Sequence, residues 1–238
     1  MSGVRSQGDP GTNSIVLASE QFYNNLDREH EDLSNYSNHC DIKTWGKKNE
    51  HQLKEICKKF VRYLETSMEL NFVDPAYDVC ILLNYWLYDK LTKIFPGENN
   101  SEYIRKAFGS LQLVWHNLYY YSGKSNHNKC NPNFKTVNHQ DWDKRKKLYD
   151  YYVDYDYLSK MAIFHHDKCE YYKKINEMSS LYEYFKGKCL TEEYNCPHFF
   201  DKFQIESREY KLENLGCQTQ MEQEISADAA KTRDSRSY

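Results

Sequence analysis

Asp74-Pro75-Ala76-Tyr77-Asp78-Val79-Cys80-Ile81-Leu82-Leu83-Asn84-Tyr85-Trp86-Leu87-Tyr88-Asp89-Lys90-Leu91 is the stretch that decides how this chain folds. Asp74 is placed to cap a helix, because its carboxylate can accept from the free N–H groups of a first turn. Pro75 then takes the first helical position, where no donor is needed. From Val79 to Leu91 both sides of the helix are apolar or aromatic, and Phe95-Pro96-Gly97 stops it. A helix that is apolar all round is a buried one. At roughly 20 residues, interrupted by Asp78, Asn84, Asp89 and Lys90, it suits a protein core better than a bilayer.

Helical spacing continues on either side. Ser19, Phe22 and Leu26 predict a short opening helix, followed by a polar loop from Asp27 to Cys40. Leu53, Ile56, Cys57, Phe60 and Leu64 form one apolar stripe on a helix over 47–70. Ile104, Phe108, Leu111, Trp115 and Leu118 alternate steps of four and three, the seam of a packed antiparallel helix over 101–120. Residues 122–140 read as a long polar loop holding Cys130 and Pro132. A helix beginning near Asp141 turns Trp142, Leu148, Tyr152 and Tyr155 inward and breaks near His165-His166. One further helix carries Tyr171, Ile175, Met178, Tyr182 and Phe185, with Gly187 at its C-cap. Cys189–Cys217 is a cysteine-bearing end piece with a short helix over 197–203. Residues 1–16 and 218–238 are polar and small, and no fixed structure is expected there. The expectation is one all-α domain over 17–217, a disulfide-stiffened multi-helix bundle with long polar loops.

Composition narrows the function. A net charge of −3 exerts no general pull toward nucleic acid. The basic run Lys144-Arg145-Lys146-Lys147 is interleaved with Asp141, Asp143, Asp150, Asp154 and Asp156, and reads as a solvated helix start. No GxSxG, P-loop, GxGxxG or HExxH motif occurs, so nothing points to an enzyme or a cofactor. His165 and Cys169, with Cys189, Cys196 and His198, could surround a metal on paper, but the spacing matches no zinc pattern and no metal site is expected.

Eight cysteines, Cys40, Cys57, Cys80, Cys130, Cys169, Cys189, Cys196 and Cys217, suit disulfides in an oxidising compartment. Helix geometry restricts the pairing. In an antiparallel hairpin turning near Val73, Cys57 and Cys80 are offset by roughly 13 Å along the axis, too far for a bridge. Cys80–Cys130 becomes the leading pair, Cys40–Cys57 is within reach, and Cys169 is left for Cys196 or Cys217. The first 14 residues contain no apolar segment of a secretory signal, and no run of about 18 apolar residues occurs anywhere.

Cys80-Ile-Leu-Leu-Asn84-Tyr-Trp86-Leu87-Tyr-Asp-Lys-Leu91 resembles the hallmark segment of the Plasmodium interspersed repeat (PIR) superfamily, in its vivax-type VIR branch. Further segments follow in the family's order. They are Phe22-Tyr-Asn-Asn-Leu26, Leu33-Ser-Asn-Tyr36 with Cys40, and Leu53-Lys-Glu-Ile-Cys57 with Tyr63-Leu64. Trp142, Lys146-Lys-Leu-Tyr-Asp-Tyr151, Lys168-Cys169-Glu-Tyr-Tyr172, Tyr184-Phe185 and Cys189 complete the series, so the resemblance spans 17–217. It implies a non-enzymatic variant surface antigen, displayed on infected erythrocytes or exported into them, with roles in antigenic variation, immune evasion and adhesion. Its partners would be a host receptor or an antibody, and its membrane contact would run through an anchor that these residues do not contain. Asn84, Trp86 and Leu87 would form the core of the family motif. An excess of Lys over Arg (24 to 8) and of Asn (19) over Ala (7) agrees with an AT-rich genome. The alternative reading is an intracellular helical scaffold or metal-binding protein with reduced cysteines.

Overall fold

The helix built on Val79–Ile94 lies at the centre of the molecule. In a computed structural model, residues 15–42, 49–69, 77–97, 101–121, 133–165, 169–208 and Cys217 are described. They form α1 (Ala18–Asp27), α2 (Glu50–Glu69), α3 (Val79–Ile94), α4 (Ser101–Tyr121), α5 (Trp142–Phe164), α6 (Glu170–Glu177), α7 (Ser179–Lys188) and α8 (Phe200–Ser207). Glu31–Cys40 and Phe134–Thr136 are 3-10 segments, and no strand occurs among the described residues. The class is all-α. The unstructured ends expected at 1–16 and 218–238 fall almost wholly outside the described residues.

Six consecutive residues of α3, Leu82 to Leu87, are buried, so the helix has no solvent face along that stretch. It packs against α1, α2, α4, α5 and the Phe134–Thr136 segment. Tyr88 meets Phe108 of α4 and Trp142 of α5 edge-on, with ring centroids at 5.6 and 5.0 Å. Trp115 and Phe60 meet in the same way across α4 and α2. The helix begins four residues later than the Asp74-Pro75 pattern predicted. Asp78 is the cap, its carboxylate accepting from the Cys80 N–H at 2.8 Å, whereas Asp74 and Pro75 lie outside the described residues. Phe95-Pro96-Gly97 ends it as expected, with Gly97 at φ +94°, a value that glycine adopts without strain.

Three other expectations change. The Asp27–Cys40 stretch is mostly a 3-10 helix held to α2, with Arg62 Nε–H donating to Asp32 at 2.7 Å. The single helix expected from Tyr171 to Phe185 breaks at Met178 into α6 and α7, and α7 runs through Gly187 to a cap at Cys189. The short helix of the end piece is shifted to Phe200–Ser207.

The tyrosines of α5 build a second half of the core. Phe203 of α8 packs edge-on against Tyr151, Tyr152, Tyr155 and Tyr182, all near 5.3–5.4 Å. Their hydroxyls reach backbone acceptors or each other's neighbours. Tyr151 donates to the Ile175 carbonyl and Tyr155 to that of Ser207. A buried ring with a satisfied hydroxyl carries no desolvation penalty for its polar end.

Helix α1 has no side-chain cap of its own. The Asp154 carboxylate of α5 supplies one from 135 residues away, accepting from the Ser19 N–H at 3.0 Å and from the Ser19 hydroxyl. Beside it, Asp150 accepts from the Tyr23 hydroxyl and pairs with Lys146 at 2.7 Å. At its other end Asp27 accepts from the Trp86 indole N–H at 2.9 Å and from Lys90 at 2.7 Å.

Emptying the Trp86 site is expected to cost about 3–5 kcal/mol, because the ring is fully packed at the centre of the bundle. Trp86→Phe keeps a ring but removes the donor to Asp27, and is expected to cost only about 1–2 kcal/mol. Urea unfolding of the two variants would show this order. Burial of the Asp154 carboxyl pushes its pKa up to about 6, above an ordinary value of 3.8, against the lowering effect of the Ser19 bonds. The folded state therefore binds this proton more tightly. Its contribution is full below pH 4 and is lost as pH rises through 6, up to about 3 kcal/mol in all. Asp154→Asn is expected to remove that slope, which thermal melts of both proteins between pH 4 and 7 would reveal by difference.

Candidate functional site

Two polar stretches are candidates for binding, the 122–140 loop and the Cys189–Cys217 end piece. Only 133–140 of the first is described, and Cys130 lies outside the described residues. The end of that loop is clamped to α3. The Asn133 N–H donates to Asn84 Oδ1 at 3.2 Å, and Asn84 Nδ2 donates to the Cys80 carbonyl at 2.7 Å. Phe134 packs on Phe108 at 5.5 Å. Asn84, a polar residue on a helix with no wet face, thus ties a loop to the core. Cys80 is in a disulfide, and Cys130, its expected partner, falls where nothing is described.

The end piece is covalently closed twice. Cys169 joins Cys217, and Cys189 joins Cys196, with Cα atoms 5.3 and 5.2 Å apart. Cys40 joins Cys57 at 5.7 Å, linking the 3-10 helix to α2. The chain-entropy model assigns about 4 kcal/mol to the 48-residue closure and about 2 to the 7-residue one. The short bridge therefore matters chiefly for the shape of the loop it closes.

Behind that loop lies a buried charge. Arg145 is only 4% exposed, and its Nε–H donates to Asp141 Oδ1 at 2.7 Å. Its Nη2–H donates to the Asn195 carbonyl at 2.6 Å, and its guanidinium lies 5.0 Å from the centre of the Tyr194 ring. The Tyr194 hydroxyl donates to the other oxygen of Asp141. Burial opposes ionisation of Asp141, yet the Tyr194 and Arg145 bonds outweigh it and hold the carboxyl below its usual range. The loop is closed further by N–H bonds from Thr191 to the Lys188 carbonyl and from Tyr194 to that of Thr191, both 3.0 Å.

Two charged residues read as solvated are therefore buried: Arg145 behind this loop and Asp154 at the start of α1. Helical register would have found them. Arg145 is four residues before Tyr149, and Asp154 is three after Tyr151 and four before Leu158, all on the inward face of α5. Asp156 does lie outside, paired with Lys160 at 2.8 Å. The paper metal shell is taken apart by the bridges, since Cys169, Cys189 and Cys196 are disulfide sulfurs rather than thiolates. Among the described residues no cysteine is free, whereas the scaffold reading expects reduced thiols. No helix among the described residues is long and apolar enough to cross a membrane. Trp86 and Leu87 are buried, so this part of α3 is a core element rather than a contact surface.

The arrangement defines a disulfide-braced helical frame whose ends hold constrained loops. A family model described as Plasmodium vivax Vir protein matches residues 17–238. The chain belongs to that family. No curated protein and no solved structure matches it.

Arg145→Met removes the charge that balances Asp141 and the donor to Asn195. It is expected to cost about 3 kcal/mol, the low end for breaking a buried pair, because Asp141 is partly wet. Hydrogen exchange over 190–196 is expected to quicken more than exchange in α3. Equal acceleration everywhere would mean that Arg145 supports the whole bundle and not this loop.

Proposed function

We propose that this chain is a non-enzymatic variant antigen of a malaria parasite, exported into infected erythrocytes or displayed on them. Membership of the Vir family over 17–238 is the observation that carries the reading. The family reading supplies roles in antigenic variation, immune evasion and adhesion, with a host receptor or an antibody as partner and membrane contact through a separate anchor.

The construction suits that task. Side chains that define the fold are buried in α2, α3, α4 and α5, while the loops are attached through a few polar ties and disulfides. Surface substitutions away from such ties change stability little, typically within about 0.5 kcal/mol. Loop sequence can therefore drift while the frame persists, which a variable antigen requires. The disulfides favour this reading over a cytosolic scaffold with reduced cysteines.

Antibodies raised against the folded chain are expected to stain intact infected erythrocytes, with the signal lost after external protease. Staining that needs permeabilisation but lies in the host cytoplasm would retain export and remove display. Signal confined within the parasite would overturn the proposal.

A further inference from the structure

We infer that the disulfide-closed loop Cys189–Cys196 is a preformed docking knob for a protein partner that offers an apolar pocket rimmed by lysine or arginine. Leu190, the first residue of the loop after Cys189, is 84% exposed, higher than any other large hydrophobic side chain among the described residues. The next three residues, Thr191, Glu192 and Glu193, are also exposed. Exposed leucines are ordinary when single and mobile. This one is held on a rigid base.

The base is fixed from three directions: the Cys189–Cys196 bridge, the backbone bonds of Thr191 and Tyr194, and the buried Arg145 gripping Asn195 and Tyr194. A loop already held in one shape loses little entropy on docking, and that saving appears directly as affinity. The fold thus places a buried guanidinium behind a loop whose residues 190–193 are exposed.

Charge selects the partner. Glu192 and Glu193 form no ion pair with any described residue, whereas Glu183, Glu177 and Glu206 on the adjoining helices pair with Lys186, Lys174 and Lys202. Two adjacent unpaired carboxylates beside a leucine repel anionic lipid, nucleic acid and acidic glycan. They attract a cationic rim, which steers association and sets register while the leucine fills the pocket. An exposed apolar side chain needs a concave receiver, which a folded protein provides.

The inference deepens the binding half of the proposal above by naming the partner's chemistry. Its test does not depend on where the chain is displayed, so the two can fail separately. The probe is a phage-displayed random dodecapeptide library selected against the folded full chain. Enriched peptides are expected to combine lysine or arginine with a large apolar residue. They should lose at least about tenfold in affinity to Leu190→Asp and to the double variant Glu192→Lys with Glu193→Lys, the loss that marks a central contact. Leu113→Asp, at another exposed leucine on α4, should change nothing. Replacing Cys189 and Cys196 together by serine should weaken binding while the remaining bridges hold the bundle. Melting temperatures of the Leu190 and glutamate variants should match the parent, and a marked drop would contradict the exposure of these side chains. No enrichment, enriched peptides without cationic residues, or peptides indifferent to both loop variants would each overturn the inference.

Discussion

A helix buried on all sides imposes a condition on everything around it: each polar group it carries must find its partner inside the protein. On α3 that condition generates the contacts that place the neighbouring elements. The Trp86 N–H is answered by Asp27, which fixes the C-terminal end of α1. Asn84 is answered by the Cys80 carbonyl and the Asn133 N–H, which fixes the end of a long loop. The backbone of Asp78, at the cap, is met by the Tyr149 hydroxyl, which accepts from its N–H and donates to its carbonyl, and so fixes α5. Asp27 gains a further tie when Lys59 of α2 reaches its carbonyl at 2.7 Å. Apolar burial supplies most of the free energy, but it is non-directional. These few polar bonds choose one arrangement among those of similar burial.

The elements of the bundle were legible because period is local. Leu53 to Leu64 and Ile104 to Leu118 repeat at helical spacing whatever they pack against, and both stripes face the core, with Ile56 and Leu118 partly buried at it. What stayed hidden was decided by partners far along the chain. Asp74 and Asp78 are both acceptable caps by type, and Tyr149, 71 residues away, is among the groups that favour the second. Asp154 looks like a surface acid until Ser19 is brought to it across 135 residues. The break at Met178 has no proline or glycine to announce it. Of the candidate site, the cysteines and the end piece could be seen in the sequence. The buried Arg145 is missed when the run of four basic residues is read as one solvated block, and emerges only when each is placed on the helix separately.

Tyrosine content admits two explanations, and the structure shows that they are compatible. A chain with a mean hydropathy of −0.92 has few aliphatic residues to spend on a core. Tyr149, Tyr151, Tyr152 and Tyr155 sit on one helix and are all buried, with Phe199 and Phe203 packed between them. Each ring contributes apolar area close to that of phenylalanine, and hydroxyls directed at carbonyls stitch α5 to the segments beyond it. A composition set by codon usage can therefore still specify a fold, provided the hydroxyls find acceptors.

The two kinds of tie divide the molecule by what variation would cost. A substitution at Asp27 leaves the buried Trp86 N–H unanswered, one at Asn84 undoes the tie between the Cys80 carbonyl and the Asn133 N–H, and emptying Trp86 opens the core; each costs several times the loss of a surface contact. A substitution at Leu190, Glu192 or Glu193 leaves no buried partner unanswered, since these side chains are exposed. The Cys189–Cys196 bridge and Arg145 act on the backbone of that loop and make no demand on its exposed side chains. Shape and chemistry are thereby uncoupled. The frame holds the loop in one conformation while the residues it presents are free to change, so a new surface can arise by substitution without a new fold.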